Sequence, residues 1–178
     1  MSLKPIFWIS GPPASGKTTL TRALLARFDR AMHIPMDDLR LWVVEGMADS
    51  VPWSDETETQ FRIAEDAACD VALRYQAAGF VAAIDHCRNP KRLEELIQAR
   101  LLDVPVVKVC LMPTLNVNLE RSHTRTNKTF DPHMLDETIV FTNTHYREDV
   151  PAGWLVIDNT ELSVDATIQT ILSRSGIS

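Results

Sequence analysis

Long apolar runs are missing from this chain. No stretch approaches the roughly 18 residues that a membrane-spanning helix needs, so no membrane contact is expected. The stretch Pro5-Ile6-Phe7-Trp8-Ile9 is too short for the core of a signal peptide, and no small-residue cleavage site follows it. Cysteine is scarce. Cys69, Cys87 and Cys110 are dispersed, with no C-x-x-C pair. An odd, scattered set fits buried thiols in a reducing compartment better than a disulfide frame, so a cytoplasmic protein is expected. Asn127-Lys128-Thr129 then matches a glycosylation acceptor only by chance. Positive charge is not in excess either: the formal net charge is −6. That argues against broad coating of nucleic acid, which rests on neutralising many phosphates. It is compatible with a short nucleotide in a locally basic pocket. Repeats, low-complexity tracts and interdomain linkers are absent. Residues 1–178 are therefore expected to form one domain, as a monomer or a homodimer.

What is present is an ordinary globular composition, 45% hydrophobic and 24% charged, arranged as short β-like runs alternating with helical patterns. Ile6 to Ser10 reads as a strand. Lys17 to Phe28 reads as a helix, with Leu20, Leu24, Leu25 and Phe28 at helical spacing. Met32 to Met36 reads as a second strand and Asp38 to Gly46 as a short helix. The clearest helix is Asp55 to Ala78, with Asp55 and Glu58 spaced as a capping box and Gly79 as its stop. Phe80 to Ile84 is apolar throughout, as a strand covered on both faces should be. Pro90 to Leu102 (helix) and Val104 to Met112 (strand) follow. Leu115 to Thr126 and Pro132 to Tyr146 read as helices around a polar turn. Trp154 to Ile157 is a last strand and Val164 to Leu172 a last helix. Five strand–helix units predict an α/β fold: three layers, a five-stranded parallel sheet between helices, right-handed crossovers. Ligands in such sheets gather at the carboxyl ends of the strands.

The strongest signal follows the first strand. Gly11-Pro12-Pro13-Ala14-Ser15-Gly16-Lys17-Thr18 matches G-x-x-x-x-G-K-[ST] in full. Such a loop turns backbone N–H groups around an anion, and the helix behind it presents its unpaired N–H groups and dipole to the same phosphate. Lys17 supplies charge for the β and γ phosphates and Thr18 a hydroxyl for Mg²⁺. Gly11, Pro13, Ala14, Ser15, Gly16, Lys17, Thr18 and Thr19 are the expected nucleotide-binding residues, for ATP ahead of GTP. The guanine-reading N-K-x-D pattern is not present, since Phe130 stands where its Asp would be.

Other candidates sit at the remaining strand ends. Asp37 follows the second strand and is read either as a site acid or, like Asp38, as a helix cap. Arg40 reads as an anion ligand or a solvated cation. Asp85 ends Val81-Ala82-Ala83-Ile84 and has the form of a Walker B acid that holds Mg²⁺. The alternative is an Asp that opens a turn. Arg88 lies where it would touch a substrate. His86-Cys87 is no metal site, since no second cluster completes it. Arg121 and Arg125 share a helix face, and an anion between them would relieve their repulsion; a solvated basic face is the other reading. Trp42 and Trp53 flank the acceptor side, as stacking surfaces or as core.

The runs Ile6–Leu20, Asp37-Asp38-Leu39-Arg40, Ile84-Asp85 and Glu120-Arg121 to Arg125 together resemble the small P-loop kinase group. It includes chloramphenicol phosphotransferase, gluconate and shikimate kinases, polynucleotide kinases and zeta toxins. The loop departs from the usual gluconate-kinase form G-x-S-G-S-G-K-S. The resemblance implies an ATP- and Mg²⁺-dependent kinase acting on a hydroxyl of a small molecule, with Lys17, Asp37, Arg121 and Arg125 catalytic. It implies Thr18 and Asp85 on the metal, and Asp37, Arg40 and Arg88 toward the substrate. Residues about 114–131 would form a lid that His123 and Lys128 assist, and Asn159 would lie against the adenine. A polynucleotide or nucleotide-sugar kinase and a non-catalytic ATP-binding module are the alternatives.

Overall fold

The computed structural model describes residues 3–125, 131–148 and 150–177. The strands are β1 (Ile6–Ser10), β2 (Ala31–Pro35), β3 (Val81–His86), β4 (Val106–Leu111) and β5 (Leu155–Ile157). They form one parallel sheet in the order β2-β3-β1-β4-β5. The helices are α1 (Lys17–Leu25), α2 (Met36–Arg40), α3 (Asp55–Ala77), α4 (Pro90–Arg100), α5 (Leu115–Thr124), α6 (Asp136–Glu148) and α7 (Val164–Ser175), with a 3₁₀ turn at Pro132–Leu135. β1 is central and fully buried. After β1 the chain runs toward β2, and after β4 toward β5. The direction of winding therefore changes between β1 and β4, where open α/β sheets bind ligands.

Alternation of side chains along the strands divides the core in two. Phe7, Ile9, Ala83, Val109 and Leu111 face Leu20 and Leu24 of α1 and Ile168 and Ile171 of α7. Trp8, Ala82, Ile84 and Cys110 face Phe61, Ala68 and Ala72 of α3 and Leu93 and Ile97 of α4. The α5, 3₁₀ and α6 elements pack mainly on one another at the carboxyl end of the sheet. Tyr146 joins α6 to the α3 side of the core and donates to Cys87 O at 3.0 Å.

Three expectations are corrected. The short second helix starts at Met36, directly off β2, and stops at Arg40; it does not run from Asp38 to Gly46. Leu41 to Val44 is apolar but exposed, with Val44 at 90%, and finds no surface to pack on, which is what would sustain a helix through β-branched residues. Asp37 and Asp38 therefore lie inside the first turn, behind an N-cap at Pro35, and neither is the cap. The long helix is capped one residue earlier than expected. Ser54 Oγ accepts from Thr57 N (3.1 Å) and Thr57 Oγ1 from Ser54 N (3.3 Å); Thr57 Oγ1 also donates to Asp49 O at 2.6 Å. The stretch Pro132 to Tyr146 divides into a 3₁₀ turn and α6. No helix among the described residues is long and apolar enough to cross a membrane.

The cap assignment has a direct test. Ser54→Ala should cost about 1 kcal/mol in urea unfolding, and Asp55→Ala less than about 0.5 kcal/mol. The reverse ranking would restore the Asp55/Glu58 box.

Candidate active site

The loop after β1 is shaped before anything binds to it. Gly11, Ala14 and Gly16 have positive φ values of 149°, 60° and 94°. Ala14 is the only residue other than glycine with positive φ among those described, a strained conformation of the kind that collects at functional sites. Gly11 is required by contact: a Cβ there would lie 2.5 Å from Leu111 O and 2.7 Å from Ser15 Oγ. Gly16 is the N-cap of α1 and brings no side-chain cap, and no acid lies in the first turn. Helices α3, α4 and α7 are instead capped by Ser54, Asn89 and Ser163. The N–H groups and positive dipole end of α1 are thus left for an anion.

Asparagines strap this loop from behind. Asn118 Nδ2 donates to Pro13 O, and Asn143 Nδ2 donates to Asn118 Oδ1 at 3.2 Å. Asn159 Nδ2 donates to Ser15 O at 2.9 Å. Two of these bonds occupy loop carbonyls, those of Pro13 and Ser15, and the third holds Asn118 in place. Lys17 Nζ lies across the loop, on Gly11 O (3.0 Å) and Pro12 O (2.8 Å).

β3 runs beside β1, with Ile9 opposite Asp85 and Ser10 opposite His86. Because neighbours on a strand face opposite ways, the two residues serve different surroundings. Asp85 is on the α1 side, where Oδ2 meets His33 Nε2 at 3.1 Å. His86 is on the α3 side, buried with Glu65 at 3.2 Å. Arg88 Nε also reaches Glu65 Oε1 (2.9 Å), and its two terminal nitrogens take Glu58 at 2.9 Å each. Burial lowers the His86 pKa against the opposing pull of Glu65. Glu58 is held down to about 2, chiefly by its hydrogen bonds from Arg88.

One cleft of about 1520 Å³ connects these parts. Its walls include Pro13, Ala14, Gly16, Lys17, Thr18, Thr19, Asp37, Arg40, Asp85, Arg88, Arg121, Arg125 and Asn159. The Cys87 thiol is pushed up by burial and feels the charges of Asp37, Lys17 and Asp85, so those three groups converge around it. Burial lowers the Arg125 pKa against the opposing pull of Asp37, and Arg125, the C-cap of α5, lines the same cleft as Asp37. Arg121 Nη2 donates to Asn159 O (2.9 Å) and Thr160 O (3.3 Å) in the turn after β5. Gly11 and Ser15 support the loop from inside, both buried. Arg40 is also buried and not a solvated cation. It donates to Ser50 Oγ (2.7 Å) and Ala48 O (2.6 Å) and lies 4.0 Å over the Phe61 ring. Lys128 and the rest of 126–130 lie outside the described residues.

The sequence matches the AAA domain family over residues 6–147. The chain belongs to that family. Its fold is that of small P-loop kinases. It is similar to a sugar kinase from Janibacter sp. HTCC2649, with TM-score 0.70, 15% identity, and 98% of this chain and 96% of that one covered. It is also similar to a shikimate kinase from Bacteroides thetaiotaomicron, with TM-score 0.69, 14% identity, and 99% and 100% covered. A third likeness is the Deinococcus radiodurans tunicamycin resistance protein, with TM-score 0.68, 18% identity, and 98% and 97% covered. No curated protein matches the sequence.

Several residues of this AAA domain escaped the sequence reading: His33, Glu65, Asn118 and Asn143. Glu65 did leave a signal. It falls on the buried face of α3, four residues after Phe61 and three before Ala68, and an acid there needs a partner. His33, Asn118 and Asn143 left none, because their partners are distant in sequence.

Folding lowers the Glu58 pKa from 4.5 to about 2. Its stabilising effect is therefore complete above the ordinary value and is lost as the pH falls from about 4.5 toward about 2. Urea midpoints measured through that window should fall more steeply for the unaltered chain than for Glu58→Gln. Parallel curves would mean that the Arg88–Glu58 pair does not form.

Proposed function

We propose that this protein is an ATP- and Mg²⁺-dependent kinase that transfers the γ-phosphoryl group to a hydroxyl of a small molecule. The observation that supports it is the shared cleft: a phosphate cradle on an uncapped helix opens into the same space as Asp37, Asp85 and Arg125. Phosphoryl transfer needs little covalent help from the protein; it needs alignment and charge stabilisation.

The donor half follows from the loop. Its N–H groups and Lys17 hold the β and γ phosphates, and the Asn118 and Asn159 straps keep the loop from rearranging as charge moves. Thr18 and Asp85 would hold Mg²⁺. They line one cleft and offer only oxygen, which suits a hard cation, and His33 orients the carboxylate. When bound, the ion supplies positive charge against the phosphates. Arg121 and Arg125 stand on the other side, at the end of α5. There they would stabilise the transferring group and, with residues about 114–131 as a lid, keep water from accepting it.

The acceptor half centres on Asp37. It sits in the first turn of α2, at the end of β2 next to β3. Its carboxylate would accept a hydrogen bond from the acceptor hydroxyl and take the proton as the oxygen attacks phosphorus.

Lys17→Ala should lower kcat/KM for ADP formation at least roughly 100-fold. Asp37→Asn should lower kcat about 100-fold while leaving the ATP dissociation constant within about threefold. If Asp37→Asn abolishes ATP binding, Asp37 serves the metal and not the acceptor.

A further inference from the structure

The acceptor side of the cleft is built from Arg40, Arg88, Arg92, Trp53, Phe61 and the loop between α2 and α3. Three arginines in one wall suggest a pocket for an anion. Their bonding says otherwise. All three Arg88 nitrogens point at carboxylates, two to Glu58 and one to Glu65. Glu65 is completely buried, so its charge depends on His86 and Arg88. Arg92 lies against the same two carboxylates, at 3.9 Å and 4.0 Å, and reaches Glu95 at 3.1 Å. Arg40 is buried, anchors the loop through Ala48 O and Ser50 Oγ, and covers one face of Phe61. The remaining arginines of the cleft rise from α1 and the α5 end, around the phosphate cradle. An anionic acceptor that recruited Arg88 would have to strip it from Glu58 or from the buried Glu65, while lying close to Asp37.

The rest of this wall is apolar. Trp53 stacks on Phe61, with ring centroids 5.1 Å apart and planes 8° apart, yet stays 48% exposed. Met47 and Val51 stand beside it, exposed. The 3₁₀ turn and α6 contribute Met134 and Phe141, the latter 59% exposed. All of them line the cleft. Exposed apolar side chains gathered along one cleft mark a binding site for an apolar body.

We propose that the acceptor is an uncharged alcohol with a flat apolar or aromatic body, held against the exposed apolar side chains of this cleft, Trp53 and Phe141 among them, and that Arg88 is a positioning residue and not an anion ligand. This rests on the kinase reading above. The reaction keeps its balance: the acceptor O–H loses its proton to Asp37, the new O–P bond forms, and the bond from γ-phosphorus to ADP breaks.

The test is a screen of ADP release over alcohols in matched pairs, each acid beside its primary amide. Suitable pairs are para-(hydroxymethyl)benzoate with its amide and gluconate with gluconamide. The amide should exceed the acid about tenfold or more in kcat/KM, and the aromatic pair should exceed the sugar pair. Trp53→Ala should raise KM for the aromatic amide about tenfold with kcat within about twofold. Glu58→Gln, which loosens Arg88, should move the acid-to-amide ratio toward the acid about tenfold. That ratio is read within one preparation and is insensitive to partial unfolding. Preference for the acids in the unaltered chain, or an unmoved ratio in Glu58→Gln, overturns the proposal. Tight ATP binding with no phosphoryl transfer to any alcohol overturns the kinase reading itself, and the proposal with it.

Discussion

An unmet set of backbone N–H groups at the start of α1 organises this molecule. A side chain closes the first turn of α3, α4 and α7, while α1, α2 and α5 have no such cap. At α1 the chain supplies Gly16, which has none, and keeps acids out of the first turn. Leaving donors unpaired costs stability unless water or a ligand meets them. The surrounding structure is arranged to sustain that state. β1 is buried on both faces and fixes where the loop begins. Leu111 O presses against Gly11 from β4, and three asparagines bind the loop carbonyls or one another. The loop is thus held by parts of β4, α5, α6 and the turn after β5, and a change in any of them reaches it.

The end of β3 divides the remaining labour. Pleating sends Asp85 to the α1 side, near the cradle, and His86 to the α3 side, into a buried charge network. Glu65 and Arg88 there are removed from most solvent, and each charge is offset within the network, Glu65 by His86 and Arg88, Arg88 by Glu65 and Glu58. Ser10 Oγ donates to Arg88 O at 2.7 Å, so β1 and the turn after β3 are tied at the point where the two halves of the cleft meet. In the proposed kinase, the loop after β1 supplies the donor half, and the acceptor half is set by local choices in α2, α3 and the loop between them.

The donor half was legible in the sequence for physical reasons. The loop pattern is contiguous, and β3 reads as a buried strand because both its faces are covered. Asp85 at the end of that strand follows from the same run of letters. The acceptor half was not legible. The partners of Arg88, 23 and 30 residues away, leave no local pattern. Asp37 and Asp38 look like caps because the apolar run Leu41–Val44 suggests a longer helix, when it is in fact exposed. The Ser54/Thr57 box was hidden by the equally well spaced acids one residue later. Glu65 alone had a visible signature, an acid on an apolar helix face.

The central claim is that the cradle reads phosphate. Calorimetric titration of the intact protein with Mg²⁺-ATP and with adenosine tests it most directly. The account predicts that ATP binds at least about 100-fold more tightly than adenosine, a difference of about 2.7 kcal/mol, and that added salt reduces the gap. Equal affinity for the two would contradict it, because recognition would then rest on the base and the unmet N–H groups of α1 would have no role in binding.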